Sequence, residues 1–175
     1  KIFCGRSVFT FPDIIENMLT VVATELEMSR IRVTKDYAAN LPQVRCDEAK
    51  MQQVFLSIFK NSLAAMTPGG QLHIEVTQQK SGRTHDVQIM IKNDGAPIPT
   101  EHVGKVFEPF FTTKRAGTGL GLATVKKIVE EHQGQISIAS GPGQGTTVII
   151  RLPPPVHRGA PYRRRGRGRR PPRTR

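Results

Sequence analysis

Between Glu108 and Gly134 the chain reads EPFFTTKRAGTGLGLATVKKIVEEHQG, with glycines at 117, 119 and 121 where an amphipathic helix must start. Glycine loses more conformational freedom on ordering than any other residue, so such a cluster marks backbone that must approach something very closely. A helix N-terminus offers free N–H groups and the positive end of the helix dipole, a natural seat for phosphate. The spacing is not that of a Walker loop, G-x-x-x-x-G-K-[ST], nor of a dinucleotide fingerprint, which follows directly on a strand. Read alone, the run is equally compatible with an ordinary flexible loop.

The rest of the chain alternates helices and strands. PDIIENMLTVVATELEMSR puts Ile14, Ile15, Met18, Leu19, Val22 and Leu26 at helical spacing, with Pro12 in the first turn, and predicts one amphipathic helix. RIRVTKDY alternates at period two, QVRC is a short strand candidate, and Asp47 is placed to cap a helix running to about Met66. TPGG stops that helix. QLHIEVTQQ and HDVQIMIKN then read as a hairpin around KSGRT, followed by a loop-rich stretch over 94–118. The next helix spans roughly Gly119 to His132, with Gly134 as its C-terminal cap, and QISIAS and GTTVIIRLP close the chain as a hairpin around GPGQ. Helices covering one face of a sheet paired mostly between sequence neighbours make a two-layer α/β sandwich.

Two further places stand out. The helix after Asp47 carries Val54, Phe55, Ile58, Phe59, Leu63 and Met66 on an apolar face, with Gln53, Ser57, Asn61, Ala64 and Ala65 on another stripe. Asn61 is an amide with mediocre helix propensity flanked by core residues, either a satisfied polar side chain or a ligand. In IKNDGAPIP a strand ends in polar residues and a glycine, which a plain turn also explains.

The formal charge of +12 raises a nucleic-acid reading, but its location matters more than its size. Residues 158–175 hold nine of the 26 Lys and Arg and no acid; removing them leaves 17 against 14 Asp and Glu, or +3. That Arg, Gly and Pro composition predicts a disordered tail over 156–175, distinct from a globular domain over 1–155. Such a tail can bind polyanions through counterion release without sequence preference, so nucleic acid enters only as a non-specific partner. No run of 18 apolar residues suggests a membrane span, and Cys4 and Cys46 lack metal-ligand spacing, which together suit a cytoplasmic domain with reduced thiols.

Taken together and in this order, these pieces resemble the catalytic ATP-binding domain of sensor histidine kinases, within the superfamily shared by gyrase and MutL ATPases. QQVFLSIFKNSLAAM is similar to the family's N box, NDGAPIP to its first glycine box, FEPFFTTK to its F box, GTGLGL to its second glycine box and GPGQGTTVIIRLP to its closing hairpin. The similarity runs from about Ser7 to Pro153. It implies the Bergerat fold: a mixed, largely antiparallel sheet of about five strands with three helices on one face. It also implies ATP with Mg²⁺ between them. Asn61 matches the metal-binding asparagine, and Lys114 the lysine that closes the F box beside the triphosphate. Gly117, Gly119 and Gly121 match the glycines whose backbone approaches the phosphates, with Leu120 and Leu122 behind them, and Thr113 and Thr118 match nucleotide-binding positions. Phe107 and Phe110 match residues that anchor the connection by packing. Thr146 matches a position close to the adenine, and Gly95 and Ile98 match nucleotide-binding positions.

Two departures refine this. Most members have an aspartate for the adenine amino group where this chain has Asn93 followed by Asp94, so either residue is a candidate; Pro97 replaces a second glycine. Four residues before Asn61, where gyrase-like relatives place a water-activating glutamate, stands Ser57, which has no basicity at neutral pH. The resemblance therefore implies transfer of the γ-phosphoryl group to a histidine rather than fast hydrolysis. None of His73, His85, His102, His132 and His157 sits in the family's acceptor motif. The acceptor is expected on a separate helical dimerisation domain, with a response regulator downstream. The rival readings are a protein-serine kinase of the anti-sigma type and a non-catalytic nucleotide-binding module. The sensed signal is not legible.

Overall fold

The computed structural model describes residues 6–81, 84–114 and 117–154, so Cys4 and the basic tail lie outside the described residues. In chain order the elements are β1 (Arg6–Phe9), α1 (Phe11–Val21), α2 (Ala23–Met28), β2 (Arg32–Tyr37), β3 (Val44–Asp47), α3 (Glu48–Leu63), β4 (Gln71–Ser81) and β5 (Thr84–Asn93). There follow α4 (Thr100–Val103), α5 (Gly121–Glu131), β6 (Gln135–Gly141) and β7 (Gly145–Leu152).

The main sheet has five strands in the order β2-β4-β5-β7-β6, parallel between β2 and β4 and antiparallel elsewhere. β1 and β3 form a separate antiparallel pair. Because strand side chains alternate between faces, Leu72, Ile74 and Val76 on β4, Val87, Ile89 and Ile91 on β5, and Val148, Ile150 and Leu152 on β7 all point one way and are buried. The helices lie on that face. α3 supplies Met51, Val54, Phe55, Ile58 and Phe59; the Phe11 and Phe55 rings meet edge to face at 6.0 Å and Phe55 and Phe59 stack at 6.4 Å. Burying each such side chain contributes about 1.5–3 kcal/mol.

The helix expected after Pro12 is divided in two. Ile14, Ile15, Met18, Leu19, Val22 and Leu26 are all buried, so the apolar stripe runs through, but Val22, at φ −98 and ψ 7, leaves helical geometry and divides the run. Thr20 Oγ1 donates back to Glu16 O at 3.0 Å just before two consecutive valines, and both back-bonding and β-branching loosen a helix there.

Asp47 caps α3 as expected, its carboxylate accepting from Lys50 N at 3.1 Å. That helix stops at Leu63 rather than Met66, and α5 starts at Gly121 rather than Gly119. The cap after α5 is also displaced by one residue. Gln133, not Gly134, takes the left-handed conformation (φ 61), with Gln133 N donating to Glu130 O and Gly134 N to Val129 O, both at 2.9 Å. Gly134 is small for another reason: a Cβ there would lie 2.6 Å from Arg151 O.

The ends of α3 and α5 farthest from the glycine run are tied together. Buried His132 accepts from Asp47 N through Nε2 at 3.0 Å while its Nδ1 donates to Ile128 O at 2.8 Å, which fixes the tautomer. Lys50 bridges to Glu131 at 2.6 Å, and this partner holds the Glu131 carboxyl below its ordinary range.

Candidate functional site

At the other end of these helices a cavity of about 680 Å³ opens between α3, the carboxyl end of β5, the start of β7 and the connection over 94–120. α3 runs under it and contributes Asn61, whose Oδ1 accepts from Lys114 Nζ at 3.4 Å. The half-exposed lysine stands in partly desolvated surroundings, and burial pushes its ammonium below the ordinary lysine range. A cation with a lowered pKa, 53 residues from its amide partner, is a feature of the folded chain alone.

α5 begins on the cavity wall, with Gly121 and Leu122 lining it, and no side chain caps its first turn. Its leading N–H groups are therefore open to an anion. Close packing requires two of these glycines to be small. Gly119 has φ 67 and receives Phe110 N on its carbonyl at 3.0 Å, and a Cβ there would lie 2.3 Å from Phe110 C. A Cβ on Gly121 would come 3.0 Å from Ser57 Oγ, so the start of α5 rests directly on the polar stripe of α3.

The opposite end of the cavity is apolar with a few polar atoms. Asn93, only 3% exposed, lines it, and its Nδ2 is buried without a hydrogen-bond partner. Thr146 is its direct cross-strand neighbour and shares a 2.8 Å hydrogen bond with Ser140 Oγ, which also accepts from Ile98 N at 2.8 Å. Asp94 is turned away: its carboxylate accepts from Gln71 N at 2.9 Å and closes the start of β4. Gly95 packs on the end of α3, where a Cβ would lie 2.4 Å from Ala65 O and where Ala96 N donates to that same oxygen at 2.8 Å.

The sequence profile of the histidine kinase-, DNA gyrase B- and HSP90-like ATPases matches residues 46–156. The chain belongs to that family. It is 33% identical over 140 residues to sporulation kinase E of Bacillus subtilis (strain 168), covering 80% of this chain and 19% of that protein. It is 32% identical over 148 residues to the sensor histidine kinase ZraS of Escherichia coli (strain K12), covering 85% of this chain and 31% of that protein. The chain thus spans less than a third of the length of these relatives. The catalytic domain of the histidine kinase ThkA, in a nucleotide-free form, superposes with a TM-score of 0.76 at 27% identity over 86% of this chain and 96% of that one. ThkA in complex with the response regulator protein TrrA superposes with a TM-score of 0.70 at 26% identity, over 85% of this chain and 41% of that one.

In this histidine-kinase-type ATPase domain, the candidate residues Asn61, Asn93, Ile98, Thr113, Lys114, Gly117, Thr118, Gly119, Gly121, Leu122 and Thr146 all line the one cavity. Asp94, Gly95, Phe107, Phe110 and Leu120 do not. Phe110, expected to anchor the connection by packing, is instead 75% exposed with φ 67, and Leu120 is 41% exposed. Phe107 lies beneath Lys126 Nζ at 5.9 Å. The phenylalanine that packs at the cavity is Phe111, edge-on to His102 at 5.2 Å. Phe111 was not legible in the sequence because a doublet of phenylalanines does not say which ring turns inward. Magnesium suits the donors present: Asn61 offers one hard oxygen on the cavity wall, and no group of three or more His, Cys, Asp or Glu is poised as a cage among the described residues. Mg²⁺ keeps several waters and takes one or two protein oxygens together with substrate phosphates.

Proposed function

We propose that this domain binds Mg-ATP in the 680 Å³ cavity and transfers the γ-phosphoryl group to a histidine of a separate helical dimerisation domain. The observation that carries the reading is that one cavity holds Asn61 with Lys114, the uncapped start of α5 and the buried Asn93 amide. The polar end matches a triphosphate and the apolar end a purine. Asn61 would hold Mg²⁺, which when bound neutralises phosphate charge. Lys114 would move from Asn61 to the phosphates, and the N–H groups opening α5 would receive oxygen atoms. Phosphoryl transfer depends chiefly on positioning and charge stabilisation, which these groups supply. Adenine meets Asn93 and Thr146, with Ile98 against the ring, while Asp94 acts through the backbone of β4.

The imidazole nitrogen of the acceptor forms the P–N bond as the bond from the γ-phosphorus to the bridging oxygen breaks and ADP leaves. Ser57 stands one turn before Asn61 and cannot deprotonate water at neutral pH, which disfavours hydrolysis as the main reaction. The ThkA–TrrA complex supports a response regulator as the onward acceptor. Among the described residues no helix is long and apolar enough to cross a membrane.

Incubating the chain with γ-labelled ATP, magnesium and a supplied helical dimerisation domain should label that domain in an acid-labile, base-stable form. Asn61→Ala should reduce labelling at least about a hundredfold. Acid-stable label would indicate a serine acceptor, and nucleotide uptake without any transfer would leave only a binding module.

A further inference from the structure

Among the described residues two that line the cavity carry a buried side-chain nitrogen without a partner, Asn93 at Nδ2 and His102 at Nδ1, and Asn93 is the one at the end of β5 beside Thr146. We infer that its carboxamide makes this site ambivalent between adenine and 6-oxopurine nucleotides, an inference that rests on the ATP-site reading above. A side-chain amide carries an acceptor oxygen and a donor nitrogen side by side. Adenine presents a donor at N6 and an acceptor at N1, which Oδ1 and Nδ2 meet together. Hypoxanthine presents an acceptor at O6 and a donor at N1–H, which the same amide meets after a half-turn about its terminal torsion.

The surroundings permit either orientation. The described residues give the Asn93 amide no hydrogen bond that would fix it, and Nδ2 lies buried with no partner. The adjoining hydroxyl leaves the amide unfixed: Ser140 Oγ spends its one proton on Gly145 O at 2.9 Å, so Thr146 Oγ1 donates to Ser140 and not to Asn93. Ile98 N, which as a fixed donor would discriminate, is already given to Ser140 Oγ. The carboxylate nearest in sequence, on Asp94, accepts from Gln71 N and does not line the cavity. No carboxylate among the described residues lines the cavity to repel an oxygen at the purine 6-position. A carboxylate at position 93 would be different, because it cannot donate to O6.

The test is calorimetric titration of the chain with Mg-ATP and with Mg-ITP, which differ only at the atoms that position 93 reads. The two should bind within about tenfold of each other, and Asn93→Asp should move the ratio toward ATP by more than about tenfold, because a buried carboxylate opposite O6 is left unpaired. ATP binding with ITP more than about a hundredfold weaker in the unaltered chain would overturn the ambivalence while leaving the ATP site standing. An unchanged ratio in a folded Asn93→Asp protein would overturn it equally. Should that variant not fold, the ratio measured on the unaltered chain decides alone. Failure of the unaltered chain to bind ATP would remove the reading on which the inference rests, and the inference with it.

Discussion

Lys114 is held to Asn61 at the mouth of a partly desolvated cavity, and burial has already lowered its affinity for a proton. Bound phosphates act in the opposite sense, because an adjacent negative charge favours the ammonium. The lysine therefore has a lower pKa in the free chain than in the complex. Over the window between those two values, nucleotide binding takes up protons and affinity falls as pH rises. Calorimetry at about pH 9–10 in buffers of different ionisation enthalpy should show this uptake, and Lys114→Met should abolish it and weaken binding about tenfold or more. Buffer-independent heats in the unaltered chain would remove the lysine from the phosphate site. The pairing with Asn61 spans 53 residues, and no local pattern encodes it; only the likeness of both segments to a known family brought the two side chains together before the structure did. Asn93 and Asp94 were inseparable in sequence for a related reason. Which of two adjacent polar residues enters a cavity depends on strand parity, and β5 ends with Asn93 in the same inward phase as Ile89 and Ile91.

At the level of elements, α3 carries most of the design. Its N-terminus is capped by Asp47, so Asp47→Ala should cost about 1 kcal/mol of stability, read as a lower denaturant midpoint with unchanged slope. Because the backbone N of Asp47 still reaches His132, the tie to α5 should survive that substitution. This cap was legible because a side-chain cap is a local event, and periodicity likewise marked every residue that α1 and α2 bury except Phe11, which lies before the expected start at Pro12. The break between those helices was not legible, since the apolar stripe continues unbroken from Met18 through Val22 to Leu26. Nor was the shift of the α5 cap from Gly134 to Gln133: glycine is the expected left-handed residue, but Gly134 is committed to its close approach to Arg151. A strand crossing that forbids a Cβ is a tertiary fact that the helix sequence does not contain.

For the whole molecule, charge and chemistry are separated along the chain. The described core carries the cavity, whereas nine arginines within 158–175 account for most of the formal +12. Removing residues 156–175 should leave Mg-ATP affinity unchanged and abolish retention on an anionic matrix at about 50 mM salt. Retention by the shortened chain would place a polyanion surface on the core, and a loss of nucleotide affinity would make the tail part of the site. The clasp of His132 and Lys50 on the far ends of α3 and α5 bears on how that core meets its nucleotide. Tied at that end, the two rods also pack closely near the other, where Gly121 approaches Ser57. The floor on which a triphosphate would rest is thus set at its working spacing beforehand, which lowers the ordering cost of capture.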